Sequence, residues 1–280
     1  MTAFEILLPA FVASLILAGI HTYLGVHVVE RGVIFVDLSL AQIAALGTTV
    51  GYLAGHDLHG STGAYLFSLG FTFLGAAVFA VSRSHRNQSR IPQEAIIGIV
   101  YAVSAAVAIL IMSKATQETE HLKEMLVGNI LAVTWPQIAK TAALYAAVGV
   151  FHFVFRRRFL QISLNEPEAE QQGLNVRFWD LLFYMSFGFV VTSSVAIAGV
   201  LLVFCFLIVP SVAAMLFTER LGARLAIGWA MGALVSAGGV MLSFLLDLPT
   251  GATIVATFGG TLILMAGYRA AFHRKVLMRA

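Results

Sequence analysis

The sequence predicts an all-α protein, a polytopic transmembrane bundle of about eight to nine spans. Of its 280 residues, 59% are hydrophobic and only 11% are charged, whereas a soluble domain has about 25% charged residues. Apolar runs of about 20 residues recur, and each is long enough to cross a hydrocarbon core about 30 Å thick. These runs lack the polar stripe that a soluble helix needs. We therefore expect one membrane domain over residues 1–280.

The first apolar run predicts a membrane span rather than a cleaved signal peptide. The N-terminus, Met1-Thr-Ala-Phe-Glu5, has no basic segment, and no small-residue cleavage site follows it. The hydropathy pattern places the spans near residues 5–27, 34–54, 64–82, 95–113, 133–155, 181–197, 199–217, 225–246 and 252–270.

Basic residues predict the orientation of these spans, because Lys and Arg accumulate in cytoplasmic loops. All of the 17 basic residues except Lys114, Lys123 and Lys140 fall on one side of the predicted topology. We expect that side to be cytoplasmic, with the N-terminus outside and the C-terminus inside.

Residues 181–217 are almost continuously apolar, and one helix of that length would be about 55 Å long. Both flanks, Arg177 and Arg220, lie on the predicted cytoplasmic side, so the segment must cross an even number of times. Gly199 can supply a sharp break near residues 196–199. The total is nine crossings, or eight if the break is not a full hairpin.

The sequence lacks the common motifs of catalysis. It contains no G-x-x-x-x-G-K-[ST] phosphate loop, no H-E-x-x-H and no G-x-S-x-G. Its only cysteine, Cys205, lies in an apolar run, which excludes a disulfide framework or a Cys/His metal cluster within the chain. We expect no enzyme activity, no bound cofactor and no nucleic-acid partner. Energy for any active transport must come from another subunit or from an ion gradient.

A short helix is predicted between the fifth and sixth spans, inside the segment 156–180. Asn165 can cap it, Pro167 suits its first turn, and Gly173 suits its end. Three acids in the first turns are favoured by the helix dipole: Glu166, Glu168 and Glu170. We expect a helix over residues 166–172 parallel to the membrane, the alternative being a solvated connector.

Six stretches in order carry a resemblance to a known family. They are Glu94-Ala-Ile-Ile-Gly-Ile-Val, Leu126-Val-Gly-Asn-Ile-Leu-Ala-Val, Ser163-Leu-Asn-Glu-Pro-Glu-Ala-Glu-Gln-Gln-Gly-Leu-Asn-Val, Gly199-Val-Leu-Leu-Val, Leu207-Ile-Val-Pro-Ser-Val-Ala-Ala and Leu246-Asp-Leu-Pro-Thr-Gly-Ala-Thr. Together they resemble the zinc/manganese/iron-type ABC permeases, the membrane subunits of metal ABC importers.

The resemblance implies alternating access in a bacterial inner membrane, driven by separate cytoplasmic ATPase subunits. It also implies a second permease copy, forming a homodimer, an external solute-binding protein and contact with membrane lipid. A divalent metal ion would be the substrate. The coupling helix that docks on the ATPase would comprise Glu166, Pro167, Glu168, Ala169, Glu170 and Gly173.

The second span departs from the family pattern. The family has Gly-Asp-Ala-Leu-Ser-His there, and its Asp and His are the implied metal ligands. Here the stretch reads Phe35-Val-Asp-Leu-Ser-Leu-Ala-Gln42. Alignment on Phe35 and Gly47 puts Gln42 at the His position, whereas alignment on Asp37 puts Ala41 there. Neither register keeps both ligands.

Histidines of the first span are candidate replacements, because ionisable groups inside a membrane are functional candidates by default. Counted from the turn at residues 31–32, His21 lies at nearly the depth of Gln42, and His27 at nearly that of Asp37. His21 and His27 are six residues apart, about 120° around a helix, so we expect only one pair to face a pathway. The alternative for each is a neutral histidine bonded to a backbone carbonyl.

Two predicted external clusters could also attract cations: residues 56–59, with two histidines and an aspartate, and residues 118–124, with three glutamates and a histidine. Competing functions remain open. They are a permease for a chelated metal or cobalamin, an intramembrane metalloenzyme using His21, His27 and Asp37, and an ATP-independent carrier.

Overall fold

A computed structural model describes residues 3–56, 61–83, 91–113, 128 and 130–277. Side chains of residues 3, 4, 6 and 272–277 are outside this description. Of these described residues, 88% are helical, and no strand occurs among them. Residues 57–59 of the predicted external cluster 56–59, and the whole predicted cluster 118–124, lie outside the described residues.

Ten α-helices and one 3₁₀ turn make up the described chain. The helices are α1 Ala3–Arg31, α2 Val36–Leu53, α3 Thr62–Ser82, α4 Gln93–Met112, α5 Trp135–Val154, α6 Arg156–Leu164, α7 Glu166–Gln171, α8 Val176–Met215, α9 Leu221–Leu246 and α10 Thr250–Leu277, with the 3₁₀ turn at Ile130–Ala132.

Eight of these helices are long and apolar enough to cross a membrane, namely α1 to α5 and α8 to α10. The prediction of an all-α membrane bundle is therefore confirmed. The predicted boundaries differ from the observed ones by a few residues, mainly because α1 and α10 extend beyond their apolar windows.

The break predicted inside the longest apolar segment is confirmed. Helix α8 has 40 residues and would be about 60 Å long if straight. At Gly199 the backbone leaves the helical region, with φ 75° and ψ 163°, a conformation that is essentially restricted to glycine. Gly199 therefore divides α8 into two helical parts.

The chain forms two compact units. Unit 1 comprises Met1–Val29, Val127–Ala143 and Ile197–Ala280, and unit 2 comprises Glu30–Leu126 and Leu144–Ala196. The divisions fall within α1, α5 and α8, so these helices contribute to both units. The expectation of a single permease domain stays a prediction.

Close backbone approach holds unit 1 together. The Ser211 hydroxyl donates to the Thr22 carbonyl at 3.2 Å, which joins α1 to the second part of α8. The indole Nε1 of Trp229 in α9 donates to the Gly19 carbonyl at 2.9 Å. Small residues and hydroxyl groups at helix contacts are typical of membrane bundles, where they allow backbones to approach.

The same means of packing operates in unit 2. The Ser68 hydroxyl of α3 donates to the Ala44 carbonyl of α2 at 2.9 Å. Hydroxyls of Thr72 and Thr192 lie 3.2 Å apart and join α3 to the first part of α8. At the start of α2, the Phe35 amide donates to Glu94 Oε1 at 3.0 Å. These bonds bring α2, α3, α4 and the first part of α8 into one bundle.

Candidate functional site

Helix α7 is the short helix predicted between two spans, and its first turn has the predicted cap. The Asn165 side chain accepts from the Glu168 amide at 3.4 Å and donates to Glu168 Oε2 at 2.7 Å. Pro167 occupies the first turn. Backbone amides in the first turn have no acceptor within the helix, so the lack of an amide hydrogen in proline costs no hydrogen bond there. The predicted start is confirmed at Glu166.

The end of α7 also has a defined geometry. Gly173 has φ 77°, its amide donates to the Glu170 carbonyl at 2.9 Å, and the Leu174 amide donates to the Ala169 carbonyl at 3.0 Å. This pair of bonds is the Schellman arrangement, which satisfies the last carbonyls of a helix. Helix α7 is therefore bounded at both ends by specific hydrogen bonds.

The predicted coupling residues lie on two different faces of α7. Ala169 is completely buried within the chain, and Glu166 is half-buried, whereas Pro167, Glu168, Glu170 and Gly173 are exposed. The buried face fixes α7 to the rest of unit 2. The exposed face is available to a partner.

A buried network of four charged residues fixes the start of α7. Arg83, which follows α3, forms two bonds with Glu166, Nε to Oε1 at 3.1 Å and Nη2 to Oε2 at 2.9 Å. Its Nη1 also forms an ion pair with Asp180 of α8. Arg31, the last residue of α1, donates to the other Asp180 oxygen at 2.5 Å and to the Ser163 hydroxyl at 2.8 Å. We call Arg31, Asp180, Arg83 and Glu166 the ion network.

The ion network is electrically neutral and largely excluded from solvent. The side chains of Asp180 and Arg31 are 0% and 1% exposed, Arg83 is 7% exposed and Glu166 is 17% exposed. Buried charges are costly unless they are paired and hydrogen-bonded. Two guanidinium groups and two carboxylates alternate, so that each charge is paired and hydrogen-bonded, although the Nη2 atom of Arg31 has no hydrogen-bond partner among the described residues.

Arg83 occupies the centre of the network, between the two carboxylates. Burial alone would lower the pKa of Arg83, but the charges of Asp180 and Glu166 raise it above its ordinary value. The guanidinium therefore stays charged at every physiological pH. A cavity of about 320 Å³ opens beside the Arg83–Glu166 pair, and Glu170, Asn175 and Arg177 line it as well.

His21 and His27, the candidate metal ligands in α1, lie in unit 1 and are both buried. His21 Nδ1 lies 2.7 Å from the Leu17 carbonyl, so Nδ1 carries the hydrogen and the Nε2 lone pair faces away from that bond. This bond is the arrangement given above as the alternative to a metal ligand, a neutral histidine bonded to a backbone carbonyl. The His27 ring lies edge-on to Tyr23, with 4.8 Å between ring centroids.

Asp37 and Gln42, the candidate ligands in α2, lie in unit 2. Asp37 is 2% exposed, and its Oδ1 has no hydrogen-bond partner among the described residues. Gln42 is half-buried. In the described ranges, no three His, Cys, Asp or Glu side chains form a group that could hold a metal ion. The candidate pairs His21–Gln42 and His27–Asp37 stay predictions.

Sequence reasoning missed Asp180 and therefore missed the ion network. Arg31 and Arg83 served only as markers of topology, and the predicted sixth span began at residue 181. A single carboxylate at the edge of a long apolar run was the available signal, because such a group needs a cationic partner.

Comparison with known proteins identifies the family of this chain. The model of the ABC 3 transport family matches residues 3–268. The manganese transport system membrane protein MntC of Listeria innocua is 26% identical over 251 residues, which are 88% of this chain and 84% of that protein. The chelated iron transport system membrane protein YfeC of Yersinia pestis is 24% identical over 252 residues, which are 90% and 82% of the two chains.

A solved structure has the same fold. PsaBC from Streptococcus pneumoniae in complex with Fab superposes with a TM-score of 0.75 at 23% identity, covering 94% of this chain and 91% of that one. The family resemblance of the six sequence stretches is thus confirmed. With eight apolar helices and a family match over almost its whole length, this multi-pass membrane protein belongs to the ABC 3 transport family.

Proposed function

We propose that the chain is the permease subunit of a bacterial ABC importer for a divalent metal ion, resident in the cytoplasmic membrane. Helix α7 is the observation that carries this proposal. A six-residue helix between apolar spans, capped at both ends and held by buried ion pairs, is a rigid element with an exposed acidic face. Rigidity suits a part that must receive force from a partner.

The partner that supplies the force is a separate ATPase subunit. The sequence has no phosphate loop, so ATP hydrolysis is assigned outside this chain. The positive-inside distribution supports a cytoplasmic location for α7, with the N-terminus outside and the C-terminus inside. A second copy of the permease and an external solute-binding protein complete the proposed importer.

The substrate is proposed to be manganese or iron, since the relatives named above are manganese and chelated-iron transport proteins. Zinc is a third candidate from the family resemblance. His21 and Gln42 are proposed to line the pathway, because an imidazole nitrogen and an amide oxygen both bind divalent metals. Neutral ligands release an ion more readily than a His–Asp pair does.

A chelated metal is the second candidate substrate, and the chelated-iron name of the Yersinia pestis relative favours it. The two substrates are distinguished by competition. Uptake of a bare ion falls when a strong external chelator is added, whereas uptake of a chelate requires its own organic ligand.

The decisive experiment is purification of the tagged chain from its native membranes, followed by reconstitution of the copurified complex into liposomes. We expect an ATPase to copurify and ⁵⁴Mn²⁺ uptake to depend on ATP. Absence of an ATPase, or ATP-independent uptake by the isolated chain, would overturn the proposal. If the purified chain converts a substrate into a product without ATP or partner subunits, the alternative function, an intramembrane metalloenzyme, is favoured.

A further inference from the structure

We propose that the ion network transmits the position of α7 to the ends of α1, α3 and α8, and that Glu166 is a positioning residue for coupling. This inference rests on the proposed function, in which α7 contacts the ATPase. It concerns the buried face of α7, which contacts the rest of the permease, and not the exposed face that is proposed to contact the ATPase.

The geometry connects one residue of α7 to three spans. Glu166 forms two bonds with Arg83 at the end of α3, and Arg83 in turn pairs with Asp180 near the start of α8. Asp180 then pairs with Arg31 at the end of α1. A displacement of Glu166 is therefore opposed by charged contacts at the ends of α3, α8 and α1 in succession.

The neighbouring acid of α7 has a different environment. Glu168 is exposed, and its two carboxylate oxygens bond to Asn165 at 2.7 Å and to Gln172 at 3.1 Å. Both partners are on the same short segment, so Glu168 stabilises α7 itself. Of these two acids, Glu166 joins α7 to the membrane spans and Glu168 supports the helix, although both have the same charge.

The solvent exposure of the side chains differs between the two ends of the network. Asp180 and Arg31 are at most 1% exposed, so their ion pair is well shielded from water. Glu166 is 17% exposed and borders the 320 Å³ cavity beside Arg83. Water and space at this contact lower the cost of breaking it. The Arg83–Glu166 contact is thus the least shielded contact of the network, and the position of α7 reaches the spans only while this contact is kept.

A merely structural role for Glu166 predicts a less stable complex, whereas a positioning role predicts a stable complex with altered coupling. We therefore test Glu166→Gln, which keeps the shape of the side chain and leaves Asp180 between its two arginines. Glu219→Gln is the control, because it removes the same charge from an exposed acid between α8 and α9, outside α7. Glu166→Asp keeps the charge and is the conservative rescue.

The assay uses the reconstituted complex of tagged chain and copurified ATPase, with the solute-binding protein and Mn²⁺ added or withheld. Three quantities are measured in each variant: ATPase bound per permease, ATP hydrolysis with and without Mn²⁺, and Mn²⁺ transported per ATP. For Glu166→Gln we expect normal ATPase content, hydrolysis that no longer responds to Mn²⁺, and at least a fivefold fall in Mn²⁺ per ATP.

Glu219→Gln is expected to keep the wild-type ratio of Mn²⁺ per ATP, and Glu166→Asp to recover part of it. A wild-type ratio in Glu166→Gln would overturn the inference, as would equal losses in Glu166→Gln and Glu166→Asp. If the wild-type complex contains no ATPase, the proposed function itself fails, which is a separate result. Loss of ATPase from the Glu166→Gln complex alone would assign Glu166 to assembly and also overturn the inference.

Discussion

Gly25 of α1 lies against the backbone at Leu207 of α8, so that a Cβ atom on Gly25 would be 1.9 Å from the Leu207 carbonyl oxygen. The hydroxyl oxygen of Ser211 would be 2.4 Å from the same Cβ. No side chain longer than hydrogen fits there unless one helix moves. This contact fixes the distance between α1 and the second part of α8.

We therefore expect Gly25→Ala to destabilise the protein by about 1 to 3 kcal/mol, the usual cost of overpacking a close contact. Thermal unfolding of the detergent-solubilised chain measures the change. Gly19→Ala is the matched control on the same helix, because a Cβ there meets nothing within 4 Å. An unchanged melting temperature in Gly25→Ala would contradict the close packing.

Removal of the charge at Asp180 is expected to destabilise the fold by about 3 to 5 kcal/mol, since two arginines would stay buried without their shared carboxylate. The variant is Asp180→Asn, measured by thermal unfolding and by yield of monodisperse protein. Asp247→Asn is the control, because Asp247 is exposed and Asn also tolerates its φ of 53°. Equal stability of the two variants would argue against a buried network.

Substitution of Gly199 is expected to cost about 1 to 3 kcal/mol through backbone strain, because side chains rarely adopt its conformation. Gly199→Ala is compared with Gly259→Ala, which lies within helix α10 and has open space around its Cβ position. Melting temperature is again the measure. If Gly199→Ala is as stable as Gly259→Ala, the segment does not need this break.

The exposed face of α7 predicts which positions reach a partner. We expect a Glu168→Cys variant to crosslink to the ATPase in membranes and an Ala169→Cys variant to react little, because Ala169 is completely buried. Immunoblotting of the crosslinked products gives the readout, and Cys205 is buried in both. Stronger crosslinking from position 169 would contradict the observed orientation of α7.

The pathway prediction is tested at His21 and Gln42. We expect His21→Ala and Gln42→Ala each to lower Mn²⁺ uptake roughly tenfold or more at unchanged membrane levels, since even the loss of a group that only orients a metal ligand commonly costs about tenfold or more. His27→Ala is the control from the same helix. If His21→Ala transports normally and His27→Ala does not, the pathway residues are His27 and Asp37 instead.

Local signals were sufficient to predict most of the fold. Apolar runs place the spans, Gly199 marks the break in α8, and Pro167 and Gly173 mark the two ends of α7. Each of these signals acts over one or two turns of helix, so the sequence displays it directly. The His21 bond to Leu17 is local in the same way, being a contact four residues apart.

The ion network could not be predicted in the same way. Arg83 and Arg31 are 97 and 149 residues from Asp180, and no local pattern indicates which charges will meet. The burial of Ala169 also depends on tertiary packing, although its place on α7 was predicted. Pairing of the candidate ligands is likewise a long-range property, and it stays a prediction.

The long separation between Arg31 and Asp180 has a consequence for biogenesis. A chain that emerges N-terminus first presents both arginines before the carboxylate exists. At about 5 to 20 residues per second, Arg31 precedes Asp180 by roughly 7 to 30 seconds of synthesis. During that interval Arg31 lacks the carboxylate with which it pairs in the folded protein, and Arg83, which is made later, lacks it for a shorter time. Insertion of α1 to α3 is thus separated in time from their final packing, which is completed only when Asp180 leaves the ribosome.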